Sequence, residues 1–93
     1  MALLYRGAEI PTPGVHVVDW REHGLTWALG MSGTRRRTEP LTQYVHHWTG
    51  GEGTYRGVHH VLTQRGLSVQ LYLAADGTVY QYVDLDVVCA HAG

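Results

Sequence analysis

The distribution of apolar positions along the chain predicts a series of short β-strands separated by turns. Residues 15–20 (VHVVDW) and residues 44–49 (YVHHWT) are rich in β-branched and aromatic side chains, which favour strands. Residues 25–29 predict a further short strand, reached through a turn at residues 21–24. Residues 1–13 contain one glycine and two prolines, and we expect them to form an arm.

A helix is predicted between Thr54 and Gly66. Threonine commonly caps a helix N-terminus, and glycine suits the left-handed position that follows a helix end. Positions three and four apart share one helical face, and here that inward face comprises Tyr55, Val58, His59 and Leu62. His60 lies off that face. We therefore expect His59 at the boundary of the core and His60 in solvent.

The second half of the chain contains the clearest hairpin signal. Residues 68–74 and 78–83 are two strand-forming runs, and the Asp76-Gly77 pair between them is typical of a tight turn. Both faces of these runs are largely apolar, so we expect the hairpin to lie in a sheet that is covered on both sides. The cross-strand pairs expected from a two-residue loop are Leu71 with Tyr82 and Leu73 with Tyr80.

Composition and charge narrow the classes of function. The chain has 93 residues, of which 44% are hydrophobic and 16% charged, as expected for one small globular domain. The formal net charge of −1 gives no reason to expect nucleic acid or a membrane surface as a partner. Three consecutive arginines at residues 35–37 fall in a predicted loop at residues 30–40, where such a run is usually solvated.

The N-terminal residues lack a charged stretch followed by a sustained apolar run, so they do not resemble a signal peptide. No segment is long enough to cross a bilayer as an apolar helix. We therefore expect the protein to be cytoplasmic as synthesised.

Seven histidines and a single cysteine are the candidates for metal chemistry. His46 and His47 are adjacent on a predicted strand, so their side chains point to opposite faces. His47, Cys89 and His91 could together provide the nitrogen and sulfur ligands that suit tetrahedral zinc. The alternative is that these residues pack or form hydrogen bonds, and the apolar neighbours of Cys89 predict a buried, unreactive thiol.

Four segments, in order, resemble a known family. They are residues 45–50 (VHHWTG), residues 68–73 (SVQLYL) after the predicted helix, residues 76–83 (DGTVYQYV) and residues 90–93 (AHAG). The order and spacing resemble the zinc-dependent N-acetylmuramoyl-L-alanine amidases of the phage-lysozyme and peptidoglycan-recognition type. The resemblance covers roughly residues 43–93.

This resemblance implies an α/β fold with a central mixed β-sheet flanked by helices. Residues 1–41 would be an N-terminal arm with one or two short strands, and residues 42–93 the N-terminal part of an amidase-type domain. The family takes its remaining zinc ligands from a later segment, so we expect the chain to be the N-terminal portion of a longer enzyme. A sheet truncated in this way would self-associate or be covered by a partner chain.

The resemblance also implies roles for individual residues. His47 corresponds to the first zinc ligand, with His46 in its place if the register differs by one, and His91 corresponds to a catalytic histidine lining the substrate cleft. Four further positions are expected to contact substrate: Trp48, Thr49, Gln70 and Tyr80. Gln70 can hydrogen-bond a peptide or sugar but cannot act as a general base.

The implied function is hydrolysis of bacterial peptidoglycan at the amide between N-acetylmuramic acid and the L-alanine of the stem peptide. Zinc would polarise the scissile carbonyl and acidify a bound water in the complete enzyme. Such an enzyme could be phage-encoded and act on the cell wall. The alternative is a catalytically inactive peptidoglycan-binding or phage structural module with an amidase-like fold.

Overall fold

The computed structural model describes residues 2–38 and 54–90, which form a small mixed α/β unit. The strands are β1 (Ala2–Tyr5), β2 (Ala8–Pro11), β3 (Val17–Val18), β4 (Arg35–Arg36), β5 (Leu71–Leu73), β6 (Val79–Gln81) and β7 (Val87–Val88). The helices are α1 (Trp20–His23) and α2 (Tyr55–Gln64). The strands form a β1–β2 pair, a three-stranded sheet in the order β3–β6–β5, and a β4–β7 pair.

The predicted N-terminal arm is a β-hairpin. β1 pairs antiparallel with β2, and the two strands are joined by a turn at Arg6 and Gly7. Leu4 is 2% exposed, whereas every residue of β2 is exposed. The expectation of one or two strands in this region is wrong, because residues 2–38 contain four. β2 lacks a buried apolar face, so its pattern of side chains gave no strand signal.

The strand predicted at residues 15–20 is shorter than expected. Asp19 caps the N-terminus of α1, because its carboxylate accepts a hydrogen bond of 2.8 Å from the Arg21 backbone N–H. Hydrogen bonds from the Arg21 side chain also lower the pKa of Asp19. The strand predicted at residues 25–29 is wrong, because that described segment is irregular and directs Trp27 into the core.

The three-stranded sheet is mixed, which confirms the predicted α/β class with a mixed sheet. β3 and β6 are parallel, with Val17 opposite Val79, whereas β5 and β6 are antiparallel. β6 is the central strand of this sheet. The expectation that both faces are fully covered is wrong at β5, where Leu73 is 61% exposed.

The β5–β6 hairpin forms where the Asp76-Gly77 signal predicts it, but its register differs by one residue. Ala74 N–H donates to the Thr78 carbonyl at 2.9 Å, which closes a three-residue loop. Gly77 adopts a φ of +90°, a conformation that favours glycine. The predicted pairs of Leu71 with Tyr82 and Leu73 with Tyr80 are therefore wrong. The observed pairs are Leu71 with Gln81, Tyr72 with Tyr80 and Leu73 with Val79.

The predicted helix is confirmed as α2. The Thr54 hydroxyl accepts a hydrogen bond of 3.1 Å from Gly57 N–H, as an N-cap does, and Gly66 follows the helix with a φ of +69°. His59 is half-buried and His60 is exposed, as the helical face predicted.

The arginine run is partly a strand. Arg35 and Arg36 are exposed, as expected, but they pair antiparallel with β7 rather than lying in a loop. This pairing places residues 35–36 beside the segment that follows β6.

A core cluster of Trp27, Tyr82, Val83 and Cys89 packs against Tyr55 and Leu62 of α2. Cys89 is 8% exposed, which confirms the predicted burial of the thiol. Within residues 2–38 and 54–90, no helix has the length and apolar character needed to cross a membrane.

Candidate functional site

Of the site residues that the family resemblance implies, two lie in the described part of the chain. Gln70 precedes β5 and Tyr80 is the middle residue of β6. The other predicted positions lie outside the described residues: His46, His47, Trp48, Thr49 and His91. Their proposed roles stay predictions.

Gln70 is half-buried between two segments of backbone. Its side-chain Nε2 donates to the Val87 carbonyl at 2.9 Å, and its own carbonyl accepts from Tyr82 N–H at 2.9 Å. These bonds orient the amide group with respect to β7. A glutamine amide also has an oxygen that accepts hydrogen bonds, so an oriented Gln70 has the chemistry to recognise an N–H or O–H group.

Tyr80 belongs to a tyrosine–histidine cluster formed by His23, Tyr55, Tyr72, Tyr80 and Tyr82. The Tyr55 ring, at the start of α2, stacks on Tyr80 with centroids 4.3 Å apart and planes inclined by 16°. Tyr72 lies on the neighbouring strand with its centroid 6.2 Å from that of Tyr80. One face of the Tyr80 ring is therefore already in contact with protein.

His23 lies among three of these tyrosines and uses both ring nitrogens. Nε2 is 2.9 Å from the Gln81 carbonyl, which can only accept, so this nitrogen carries the proton. Nδ1 accepts a hydrogen bond of 3.1 Å from Leu25 N–H. These two partners select the neutral ring. A role as metal ligand or general base would break one of the bonds, so His23 is best described as an orienting residue.

A second set of aromatic contacts joins α2 to the core. His59 stacks on Trp27 at 4.5 Å and its Nε2–H donates to the Thr26 carbonyl at 2.9 Å. The Tyr82 hydroxyl donates to the Tyr55 carbonyl at 2.6 Å, and burial raises the pKa of Tyr82. The phenol is thus held in its protonated form. These contacts fix the position of α2 relative to β6.

Ser68 was not singled out by its sequence position, yet it joins three segments. Its Oγ accepts from Ala90 N–H at 3.1 Å and donates to the Ser32 carbonyl at 2.8 Å. Its own N–H donates to the Ala90 carbonyl at 3.0 Å. Ala90 immediately precedes His91, a predicted catalytic residue, in the chain. These bonds therefore hold the residue before His91 beside Ser68.

The described residues do not form a metal site by themselves. No group of three histidine, cysteine, aspartate or glutamate side chains in residues 2–38 and 54–90 is arranged to hold a metal ion. Burial raises the pKa of Cys89 to about 11, because the buried site disfavours the thiolate.

Only a weak signal in the sequence points to the structurally important residues that were not predicted. Gln81 is a polar residue in an apolar strand, which signals a buried hydrogen-bonding role. His23 and Ser68 carry no such pattern, because their partners are distant in sequence. Comparison of the chain with protein-family models, with curated proteins and with solved structures finds no match in any of the three.

Proposed function

We propose that this protein acts on bacterial peptidoglycan as an N-acetylmuramoyl-L-alanine amidase, hydrolysing the amide between N-acetylmuramic acid and L-alanine. The products are the carboxylate of the muramic acid lactyl group and the free amine of the stem peptide. The ordered set of four motifs carries this proposal. Support comes from the hairpin of β5 and β6, which joins the second and third motifs in one mixed sheet after α2.

The second and fourth motifs are also linked through described contacts. Ser68 begins the second motif and hydrogen-bonds Ala90, the first residue of the fourth. Gln70 hydrogen-bonds Val87 on the strand that leads to the same segment. An amidase cleft needs its substrate-binding residues close to its catalytic histidine, and these contacts favour that arrangement.

In this proposal the residues have distinct roles. His91 contacts the substrate and stabilises developing negative charge, and Gln70 accepts or donates a hydrogen bond to the peptide or sugar. Tyr80 contacts the ligand through parts of the ring other than the face that Tyr55 covers. Trp48 and Thr49 complete the proposed substrate-binding set.

Zinc is the proposed cofactor, with His47 as one ligand. Catalytic zinc needs about three protein ligands. His47 lies outside the described residues, and residues 2–38 and 54–90 contain no group of three ligands by themselves. We therefore derive no step of the reaction through the metal.

The experiment that tests the proposal measures zinc content and the release of free L-alanine amino groups from purified cell-wall sacculi. It uses this chain and the product of the full reading frame that encodes it. We expect the active form to bind zinc and lose both properties in His47→Ala, while His60→Ala, which changes an exposed histidine on α2, behaves as wild type. If both proteins contain no zinc and release no amino groups, the proposed amidase activity is contradicted.

A catalytically inactive peptidoglycan-binding module is the second candidate. The observation that favours it is that His23, Tyr82 and Cys89 are all engaged in bonds or packing rather than in a reactive arrangement. A module of this kind would sediment with insoluble cell wall without releasing amino groups. Failure to sediment with the wall would exclude it.

A further inference from the structure

A cleft of about 190 Å³ lies where the N-terminal hairpin, the loop before β4, β4 itself and the segment after β6 meet. Its volume is below the roughly 300–1,000 Å³ of pockets that enclose drug-sized ligands, so it admits one small group. Neither Gln70 nor Tyr80 lines it. Its charged and apolar lining residues are Arg6, Leu29, Arg36, Asp84, Asp86 and Val87.

The two acidic residues of the cleft already have protein partners. Asp84 Oδ1 accepts from the Arg6 backbone N–H at 2.7 Å, and Asp84 Oδ2 accepts from Gly7 N–H at 2.8 Å. The backbone N–H of Asp86 donates to Asp84 Oδ1 at 2.9 Å. Asp86 Oδ1 is buried and lies 3.4 Å from Arg6 Nε. The Arg6 guanidinium and three backbone N–H groups thus oppose both negative charges.

Arg36 is the charged group of the cleft that lacks such a partner. Its side chain is exposed, and within residues 2–38 and 54–90 its guanidinium forms no hydrogen bond or ion pair. A guanidinium presents its donors as a planar fork that matches the two oxygens of a carboxylate. The unpaired positive charge of Arg36 therefore favours an anionic ligand.

The cleft also has apolar walls. The Leu29 side chain is 51% exposed, and Val87 on β7 is half-buried. Removing apolar surface from water is favourable in proportion to the area that is covered. The exposed leucine therefore favours a ligand whose body is apolar.

The turn that forms one wall is held in place by the protein itself. Arg6 has a φ of +51° and Gly7 a φ of +77°. A positive φ is uncommon for a residue other than glycine, and the two bonds to Asp84 hold Arg6 in this conformation. A preformed wall lowers the cost of ordering the chain when a ligand binds.

We propose that this cleft binds a small carboxylate with an apolar body, such as the C-terminal residue of a short peptide. Arg36 donates hydrogen bonds to the carboxylate, and Leu29 and Val87 contact the apolar body. The small volume excludes a long acyl chain. The proposal goes beyond the amidase function and does not rest on it.

The test is an NMR titration of the isotope-labelled full chain, with the amide signals of Gly7 and Val87 as readouts. The probes are N-acetyl-L-alanyl-L-leucine, its C-terminal amide and isovalerate. We expect the peptide acid to bind about tenfold more tightly than the amide, because only the acid pairs with Arg36. Tighter binding of the peptide acid than of isovalerate identifies a peptide terminus as the ligand, and the reverse order identifies a free short acid.

Two pairs of variants locate the ligand. Arg36→Gln should weaken binding of the peptide acid about tenfold. Arg35→Gln changes the adjacent exposed arginine of β4, which does not line the cleft, and should bind as wild type. Leu29→Ser should weaken binding about threefold, whereas Met31→Ser, at a 57% exposed position of the same loop, should not.

The proposal is overturned if the acid and the amide bind equally or if neither shifts the signals of Gly7 and Val87. It is also overturned if Arg35→Gln weakens binding as much as Arg36→Gln does. The comparison of acid and amide uses wild-type protein, so it does not depend on any variant remaining folded. Loss of amidase activity would leave these results unchanged.

Discussion

Gln81 joins the N-terminal hairpin to the segment after β6 through its side-chain amide. It is 0% exposed; Oε1 accepts from Leu4 N–H at 2.9 Å, and Nε2 donates to the carbonyls of Leu4 and Val83, both at 2.9 Å. Its backbone carbonyl also accepts from His23. A buried glutamine with every polar group bonded is stabilising only as long as each partner is present.

Replacement of Gln81 by leucine should therefore destabilise the protein by about 2–3 kcal/mol, because Leu4 N–H loses its acceptor in a buried position. Urea-induced unfolding measures the change. Gln64→Leu, at an exposed position of α2, is the control and should change stability by less than about 0.5 kcal/mol. Equal stabilities of the two variants would show that the Gln81 amide contributes nothing.

Cys89 links stability to pH. Its pKa rises from 9.0 to about 11 on folding, mainly because burial disfavours the thiolate. The folded state therefore holds its proton to higher pH than the unfolded state does. The resulting stability is fully present below pH 9 and is lost as the pH rises toward 11.

We expect the free energy of unfolding to fall by about 1 kcal/mol between pH 8 and pH 10 through Cys89 alone. The measurement is urea unfolding at a series of pH values, with Cys89→Ala as the comparison. The alanine variant is less stable at neutral pH but should lack this component of the alkaline decline. An unchanged decline in Cys89→Ala would assign it to other groups.

At the scale of elements, α2 depends on local signals at its ends. Thr54 accepts a hydrogen bond from Gly57 N–H and is itself exposed, so its contribution is capping rather than packing. We expect Thr54→Ala to lower the free energy of unfolding by about 1 kcal/mol. Thr54→Ser keeps the hydroxyl and should retain most of the stability in thermal unfolding. If Thr54→Ala and Thr54→Ser lose the same free energy of unfolding, the Thr54 hydroxyl does not stabilise α2 as a cap.

The β5–β6 hairpin shows how far element-level prediction extends. Asp76 and Gly77 located the turn because glycine at a positive φ is a local requirement. The loop contains three residues rather than two, so the register moved by one and placed Tyr72 beside Tyr80. A one-residue difference in loop length is decided by packing of the two strands, which the turn sequence does not encode.

At the scale of the whole molecule, Asp84 attaches the N-terminal hairpin to the segment after β6. Its Oδ1 accepts from Arg6 N–H at 2.7 Å, and its Oδ2 accepts from Gly7 N–H at 2.8 Å. Oδ1 also accepts from Asp86 N–H at 2.9 Å, and the Arg6 side chain lies 3.4 Å from Asp86. The Asp84 carboxylate thus bonds the turn of the hairpin, at Arg6 and Gly7, and also the backbone of Asp86 in its own segment.

Asp84→Ala should release the β1–β2 hairpin while the core cluster stays folded. Hydrogen exchange of the hairpin amides should accelerate, and proteolysis should concentrate in residues 5–14. Asp84→Asn keeps one oxygen acceptor and should give an intermediate effect. Exchange rates in the hairpin that match wild type in both variants would show that the contacts of Leu4, including its hydrogen bonds to Gln81, hold the hairpin without Asp84.

The candidate site was only partly predictable from sequence. Gln70 and Tyr80 were named from motif resemblance, and the structure adds how each is oriented: by Val87 for Gln70 and by Tyr55 for Tyr80. The contacts of His23 and Ser68 could not be anticipated, because their partners lie 58 and 36 positions away. The roles of His47 and His91 stay predictions.

The sequence by itself determined the features that depend on neighbouring residues: the start and end of α2, the site of the β5–β6 turn and the burial of Cys89. Capping, turn formation and amphipathic periodicity each act within a few positions, so they can be recognised in the chain. Only the tertiary structure decided the hairpin of residues 2–11, the strand register and the hydrogen bonds between Ser68 and Ala90. These depend on hydrogen bonds from Gln81, Asp84 and Ser68 to distant backbone, and a polar side chain has the same bonding capacity wherever its partner lies.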